Sequence, residues 1–206
     1  MKIIKANYKI VDWLDGEAIL QKIEYCGRTC YKSEEKTTAD SARDFVHSII
    51  KRGHESVLEH VSFTVKFIVD RGVSHELVRH RIASFSQEST RYCNYDSDKF
   101  GGEITVIEPC FPDWDMGMYN DWVEAMQNAE SAYFRLLDNG AKAQEARSVL
   151  PNSLKTEVVM TANLREWRHF LRLRTSPAAH PQMREVTVPL LAELKQLIPI
   201  VFDDIN

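Results

Sequence analysis

Residues 79–92 read RHRIASFSQESTRY. Arg79, His80, Arg81 and Arg91 supply positive or titratable groups, hydroxyl residues stand between them, and little in the stretch could fill a core. Arginine forks and hydroxyls are donors that a phosphate site needs. On a helix, Arg79 and Arg81 would point about 200° apart and would reach two ligands, or a ligand and a neighbouring subunit. The stretch predicts an anion site, and the alternative is a solvated turn flanked by surface charges.

The chain around this stretch is acidic. Its 206 residues carry 26 Lys and Arg against 30 Asp and Glu, a net charge of -4. A chain with this charge is not a general nucleic-acid binder. Its length suits one sizeable core or at most two small ones, and no repeat or linker composition divides it. We therefore expect a single domain over residues 1–206.

The N-terminal sequence, the apolar runs and the cysteines indicate the cellular compartment. The start, MKIIKANYKI, lacks the apolar segment of a signal peptide, and no apolar run approaches the ~20 residues of a membrane span. The four cysteines, at positions 26, 30, 93 and 110, are too few and too scattered for a disulfide scaffold. We expect a reduced, cytoplasmic protein that does not bind membranes.

Hydrophobic periodicity predicts strands and helices in irregular order. Strands are expected over 2–10, 61–70, 103–110 and 154–162. Helices are expected over 15–31, 41–52, 73–81 (capped by Ser74), 121–138, 142–150, 164–174 (capped by Asn163) and 182–200. This mixture predicts an α+β fold, a mixed or antiparallel sheet flanked by helices. The sequence has neither a Rossmann nor a P-loop glycine motif, so a dinucleotide would bind by another route.

The predicted helix over 164–174 is rich in arginine. Arg165, Arg168 and Arg172 fall at helical spacing on one face, and Trp167 could stack on a base. The Arg165–Arg174 helix could therefore bind nucleic acid, or it could face a small anionic ligand. The acidic remainder of the chain argues for the small ligand.

Two further patterns contain residue types that bind metals or act as nucleophiles. The histidines of GHESVLEH, residues 53–60, are six apart, about 240° around a helix, so they would not share a metal ion. No cysteine set completes a metal site, and we expect none. His54 could orient a ligand or bond to local backbone. Cys93 is two residues from Arg91 but is otherwise unmarked, and a buried inert thiol is the favoured interpretation.

Four motifs together resemble the flavin-dependent thymidylate synthases. Arg79-His80-Arg81 followed by Ser89 is similar to the signature of that family. Residues 53–60 resemble its Gly-His-Glu segment, residues 145–151 (EARSVLP) its Ala-Arg-x-x-Leu-Pro element, and residues 161–174 (TANLREWRHFLRLR) its arginine-bearing helix. The motifs occur in the family's order, and the likeness covers about residues 40–92 and 142–190.

This resemblance implies an activity and its components. The family makes thymidylate (dTMP) from deoxyuridylate (dUMP), with FAD, NADPH and methylenetetrahydrofolate, in homotetramers whose active sites are shared between subunits. The implied flavin contacts are His54, Ser56, Arg79, His80, Arg81, Gln87, Asn163, Arg165 and His169. The implied dUMP contacts are Glu76, Leu77, Val78, Arg79, Gln87, Glu88, Ser89, Thr90, Arg91, Arg147 and Arg174.

Arg174 matches the arginine that the family uses to activate the uracil. An arginine beside the uracil would stabilise negative charge without losing its own proton, because its pKa lies above about 12. Glu76, Gln87 and His169 stand where the family often has Gln, Glu and Asn. Each substitution keeps hydrogen-bonding ability but changes the charge or the tautomers available.

Overall fold

A computed structural model describes residues 1–93, 95 and 101–206. Its strands are β1 (Lys2–Ile4), β2 (Asn7–Ile10), β3 (Ser62–Asp70), β4 (Ala83–Gln87), β5 (Thr105–Ile107) and β6 (Lys155–Asn163). Its helices are α1 (Gly16–Tyr31), α2 (Ser41–Lys51), α3 (Arg71–Leu77), α4 (Met116–Asp138), α5 (Ala143–Ala146), α6 (Leu164–Arg174) and α7 (Pro181–Leu197). Short 3₁₀ segments cover Glu34–Lys36, Glu55–His60 and Arg147–Val149. The predicted α+β class is confirmed.

The strands form two sheets. One is a parallel pair of β1 and β5, in which Ile3 lies opposite Val106, and Val106 also makes an isolated antiparallel bridge with Leu154. The other has four strands in the order β2-β3-β6-β4. The prediction of one strand over residues 2–10 was wrong, because the chain leaves the first sheet after β1 and enters the second sheet with β2.

Close contacts group the chain into two compact units. Unit 1 comprises Met1–Asn7, Phe67–Arg79 and Ser86–Val159, and unit 2 comprises Tyr8–Lys66, His80–Phe85 and Met160–Asn206. Strands β3, β4 and β6 therefore contribute residues to both units. The single-domain expectation remains a prediction.

The core of unit 1 lies under α4. Met126 and Tyr133, on one face of that helix, pack in a cluster with Val106 of β5, Leu154 and Tyr95. The tyrosine rings at 95 and 133 meet edge to face, with centroids 5.8 Å apart. Such pairs add about 0.5–1.5 kcal/mol beyond the area they bury.

The core of unit 2 is built around α6. Trp167 is fully buried, stacks on Phe63 of β3 at 4.8 Å between ring centroids, and donates its indole N–H to the Phe63 carbonyl oxygen at 3.1 Å. Phe170 meets the same indole edge to face at 5.6 Å. Asn163 caps the helix as predicted, since its Oδ1 accepts from the Glu166 N–H at 2.9 Å. These contacts fix the rotation of α6, and therefore which of its residues face outward.

The bounds and the Ser74 cap of the helix predicted next to the opening stretch were wrong. The helix predicted over 73–81 begins at Arg71, because Asp70 caps it by accepting from the Val73 N–H at 2.7 Å. It ends at Leu77, so residues 79–81 are not helical and the argument about their angular separation does not apply. Residues 83–87, for which no element was predicted, form strand β4. No helix among the described residues has the length and apolar character needed to cross a bilayer.

Candidate functional site

A buried imidazole in unit 2 connects a carboxylate to an arginine. His80 is 6% exposed, and its Nδ1 lies 3.2 Å from Oε1 of Glu166 in α6. Arg174, at the end of the same helix, donates its Nε–H to the His80 Nε2 at 3.0 Å. Phe170 packs its ring edge to face against the imidazole, with centroids 4.9 Å apart, and the His169 ring lies 5.9 Å away. We call Glu166, His80 and Arg174 the His80 triad.

The surroundings keep the His80 ring neutral. Burial lowers the pKa of His80 to about 4, and the nearby Arg174 and His169 act in the same direction. Burial also raises the pKa of Glu166, against an opposing influence of His169. At neutral pH the ring therefore has one N–H donor and one acceptor nitrogen.

The same residues have the composition of a metal site. Ligand atoms of His80, Glu166 and His169 lie within 4.8 Å of one another. Both ring nitrogens of His80 are engaged, however, one by the carboxylate and one by the Arg174 guanidinium. A cation next to that guanidinium would be repelled. We assign these groups to hydrogen bonding.

Two clefts open beside α6, and both lie within unit 2. The larger, called the α6 cleft, has a volume of about 510 Å³ and is lined by Glu55, Glu59, Ile82, Asn163, Arg165, Glu166, His169 and Arg172. The smaller, called the His54 cleft, has a volume of about 330 Å³ and is lined by Cys30, Tyr31, Ile49, Gly53, His54, Glu55, Ser56, Val57 and Arg165. Both volumes fall within the range of small-molecule pockets. Arg165 and Glu55 line both clefts.

Three predicted flavin residues lie together in the α6 cleft. Asn163 uses its side-chain oxygen as the helix cap, so its amide nitrogen is the group that can donate to a ligand. Arg165 is exposed and forms a 2.6 Å ion pair with Glu59. Exposed pairs of this kind contribute only about 0–1 kcal/mol, so an anionic ligand could displace the carboxylate. His169 is exposed on the same helix.

His54 and Ser56 line the His54 cleft. The His54 Nδ1 lies 2.8 Å from the hydroxyl of Tyr31, so its partner is a distant side chain and not the local backbone considered from the sequence. Gly53 precedes it with φ of 70°, a left-handed backbone conformation that glycine adopts without strain. Ser56 is exposed.

In unit 1 the predicted dUMP residues surround a turn over residues 89–92, called the Ser89 turn. The N–H groups of Tyr92 and Cys93 both donate to the Ser89 carbonyl oxygen, at 3.1 and 3.0 Å. The N–H of Arg91 donates to the Ser89 hydroxyl at 3.3 Å. Arg147 reaches the turn from its own 3₁₀ segment and donates to the Thr90 hydroxyl at 3.3 Å. The predicted residues Ser89, Thr90, Arg91 and Arg147 are thus brought together.

Gln87, at the end of β4, is held by two hydroxyls. Its Nε2 donates to Ser74 at 2.9 Å and to Thr156 at 3.3 Å. The Ser74 hydroxyl in turn donates to the Arg71 carbonyl oxygen at 2.8 Å, so it can only accept from the amide. A glutamine therefore suits this position.

Glu88 is compensated by a lysine. Lys155 lies 2.9 Å from Glu88 and 2.8 Å from Glu157. Burial lowers the pKa of Lys155, but bonds to Glu157 and Glu88 more than offset this, and the pKa is raised. The lysine stays charged and cancels negative charge beside the Ser89 turn.

The other predicted residues differ in exposure. Leu77 is fully buried, so any ligand contact there would have to come from its backbone. Val78, Arg79 and Arg81 are exposed and Glu76 is half-buried. All four remain predicted contacts.

The packing of α6 does not support the interpretation that this helix binds nucleic acid. Trp167 is buried and cannot stack on a base. Arg168 is 1% exposed and is bound by Glu55, Asp204 and the Val201 carbonyl oxygen. The hydrogen bond from Arg168 also lowers the pKa of Asp204. Arg165, Arg168 and Arg172 therefore do not form one exposed basic face, although they are spaced as a helical face would be.

The sequence did not predict the residues that form hydrogen bonds or ion pairs with the predicted site residues. Glu166, Lys155, Ser74 and Thr156 were not proposed for any site. Glu166 and its partner His80 are 86 residues apart in sequence, and Lys155 and Glu88 are 67 apart. The one available signal was a glutamate among the arginines of residues 164–174.

A sequence profile for the family described as "Thymidylate synthase complementing protein" matches residues 10–200 of the chain. The chain belongs to this family. The match includes the His80 triad, both clefts and the Ser89 turn.

Individual relatives agree with the profile. The chain is 37% identical over 193 residues to a protein of Geobacter sulfurreducens, covering 88% of this chain and 80% of that one. It is 33% identical over 217 residues to a protein of Corynebacterium aurimucosum, with coverage of 95% and 85%. It is 35% identical over 173 residues to a protein of Pyrococcus furiosus, with coverage of 84% and 70%. Each is named flavin-dependent thymidylate synthase, so the predicted family is confirmed.

Proposed function

We propose that this protein is a flavin-dependent thymidylate synthase, an enzyme that methylates dUMP to dTMP. The observation that carries the proposal is membership of the family over residues 10–200, together with relatives of that name. We further propose FAD as the flavin, methylenetetrahydrofolate as the one-carbon donor and NADPH as the reductant.

The residues of the two clefts fit a flavin nucleotide. A diphosphate needs cationic and neutral donors, and Arg165, Asn163, His54 and Ser56 supply them around clefts of ligand size. In this proposal they hold FAD together with Arg79, His80, Arg81, Gln87 and His169. When bound, the flavin supplies hydride chemistry that amino-acid side chains do not perform.

The Ser89 turn is proposed to bind the phosphate of dUMP. Ser89 offers a hydroxyl, and Arg91 and Arg147 offer guanidinium groups, a donor set that suits a phosphate. Gln87, Glu88, Thr90 and residues 76–79 complete the proposed nucleotide contacts. The Lys155 ammonium supports this role because it offsets one of the two negative charges of Glu88 and Glu157, which weakens their repulsion of the phosphate.

Arg174 is the residue we propose to act on the uracil. When the uracil ring accepts a nucleophile, it passes through an enolate-like state in which negative charge lies on the ring and its carbonyl oxygens. A guanidinium beside them stabilises that charge and stays protonated throughout. A bound reduced flavin would supply hydride as that nucleophile, so no side-chain nucleophile is proposed for this step.

The wider expectations belong to the same proposal. We propose a homotetramer with shared active sites that works in the cytoplasm, without nucleic-acid or membrane partners. Size-exclusion chromatography with light scattering tests the subunit number, and a monomer with full activity would refute the shared sites.

The experiment that tests the function measures dTMP formation by the purified protein. FAD, NADPH, methylenetetrahydrofolate and dUMP are supplied, and omitting dUMP gives the background. Arg174→Ala should reduce kcat by about 10²–10³. Arg43→Ala, which removes an exposed cation paired with Glu17 in unit 2, serves as the matched control and should keep wild-type kcat. A wild-type protein that forms no dTMP would refute the activity.

A further inference from the structure

We propose that Glu166 and His80 position Arg174, as a relay that selects one tautomer of the imidazole and thereby one orientation of the guanidinium. The effect on catalysis rests on the proposed function, whereas the relay itself does not. In this role Glu166 and His80 are positioning residues, because they act through Arg174.

The tautomer follows from the donors. A guanidinium has N–H groups and no acceptor, so the 3.0 Å contact from Arg174 Nε requires a lone pair on the His80 Nε2. A neutral imidazole then carries its hydrogen on Nδ1. That atom faces Oε1 of Glu166 at 3.2 Å, where a carboxylate can accept the hydrogen. Each group of the triad fixes the hydrogen-bonding role of the next.

Packing holds the ring and the backbone around this contact. His80 and Glu166 are both buried, and Phe170 packs against the imidazole edge to face at 4.9 Å. Arg174 is the last residue of α6, so its carbonyl oxygen lacks a helical partner. The hydroxyl of Thr187, fully buried in α7, lies 2.9 Å from that oxygen and 3.0 Å from the Met183 carbonyl oxygen, and these two acceptors share its one hydrogen. Arg174 is thus held at its backbone and at its Nε.

The charges favour the same arrangement. A protonated His80 would place a second cation against Arg174 and would remove the acceptor that the guanidinium uses. Burial opposes that protonation, as do Arg174 and the nearby His169. The Glu166 carboxylate, on the far side of the ring, favours a hydrogen on Nδ1. Rigid placement matters because an error of about 1 Å at a reacting group can cost 10²-fold in rate.

Two substitutions of His80 test its hydrogen bond with Arg174 and its hydrogen bond with Glu166 separately. The longer amide of His80→Gln reaches the place of Nε2 and can accept from Arg174, whereas the shorter amide of His80→Asn replaces Nδ1 and can only serve Glu166. We expect His80→Asn to lower kcat roughly 100-fold and His80→Gln to lower it less than about tenfold. The KM for dUMP should change by less than about threefold in both. His60→Gln, at an exposed histidine of unit 2, is the control and should match wild type.

Equal kcat losses in the two His80 variants, with thermal unfolding like that of wild type, would overturn the positioning role. An activity of His80→Asn above that of His80→Gln would do so as well. Glu166→Gln gives a further check, because its amide can donate to Nδ1 and allow the other tautomer. Its kcat should fall at least about tenfold.

A spectroscopic measurement decides the relay without any turnover. In protein labelled with ¹⁵N-histidine, His80 should show a protonated Nδ1 and an unprotonated Nε2 at pH 7, and this pattern should change in Glu166→Gln. A ring protonated at Nε2, or at both nitrogens, would refute the relay whatever the activity. The predicted pattern in a protein that forms no dTMP would refute the proposed function and leave the relay in place.

Discussion

The guanidinium of Arg168 and the carboxylate of Glu55 are paired, with Nη2 and Oε1 2.9 Å apart. The arginine is 1% exposed and also binds Asp204 at 2.7 Å. The pair joins α6 to the 3₁₀ segment over Glu55–His60 and to residues near the end of the chain.

Arg168→Met should therefore lower the free energy of unfolding by about 1–3 kcal/mol, because the carbonyl oxygen of buried Val201 and the partly exposed carboxylates of Glu55 and Asp204 lose their donor. Urea unfolding followed by circular dichroism measures the change. Arg172→Met is the matched control, since Arg172 is 51% exposed and lies 3.6 Å from the same Asp204. That variant should stay within about 1 kcal/mol of wild type. Similar losses in the two variants would contradict the structural role of Arg168.

Gln87→Glu should destabilise the protein. The Ser74 hydroxyl donates its single hydrogen to the Arg71 carbonyl oxygen, so it cannot donate to a carboxylate at position 87 without giving up that bond. We expect a loss of about 1–3 kcal/mol. In a double-mutant cycle, Ser74→Ala should reduce the cost of Gln87→Glu. Independent, additive effects of the two changes would show that the hydroxyl is not responsible.

Acid should weaken the fold through His80. Its pKa is about 4 in the folded protein against 6.5 for an unperturbed group, so the unfolded chain takes up a proton first as the pH falls. The stability that depends on neutral His80 is complete above about pH 6.5 and is lost progressively toward pH 4. Glu166 acts in the opposite direction, because its raised pKa favours the folded state as the solution becomes acidic.

The decrease in the free energy of unfolding that His80 causes between pH 6.5 and pH 4 is at most about 3 kcal/mol. Unfolding free energies of wild type and His80→Gln between pH 4 and 7.5 test this directly. The difference between the two proteins should shrink or change sign as the pH falls. A difference that stays constant across this range would contradict the depressed pKa.

Gly16 begins α1 at a place where no side chain fits. A Cβ there would overlap the carbonyl oxygen of Leu197 and approach Pro199 Cδ to 3.2 Å. Gly16→Ala should lower the free energy of unfolding by about 1–3 kcal/mol, since backbone must move. Gly117→Ala, in the first turn of α4, is the control: its Cβ would meet only the Asp115 side chain, at 3.2 Å. A Gly16→Ala protein as stable as the control would argue against this close approach.

Much of the fold was predictable because its signals are local. The start of α6 at its Asn163 cap and the start of α1 after Asp15 agree with the predicted helices over 164–174 and 15–31. Strand β4 was not predicted because ASFSQ contains no β-branched residue and its apolar positions, Ala83 and Phe85, alternate with serine over only four residues. Its pairing within the four-stranded sheet, and not its own composition, makes it a strand.

The family was predicted from motifs, but the supporting contacts could not be. Periodicity placed Arg165, Arg168 and Arg172 on one face, yet the packing of Trp167 leaves Arg168 buried while Arg165 and Arg172 are exposed. Spacing along a helix cannot reveal that Glu55 and Asp204 will neutralise one of three similar arginines. Spacing along the helix likewise cannot reveal that Glu166 pairs with His80, which is 86 residues away in sequence.

Helix α6 has consequences for how this protein can vary. Within eleven residues it fills the core with Trp167 and Phe170, buries the charge of Arg168, and presents Arg165 and His169 to a cleft. Neighbouring positions of α6 therefore require an apolar side chain, a buried cation or a cleft-lining polar group, and each position accepts few other residues. In a saturation mutagenesis screen we expect this helix to tolerate far fewer exchanges than α4, most of whose residues are exposed or only half-buried.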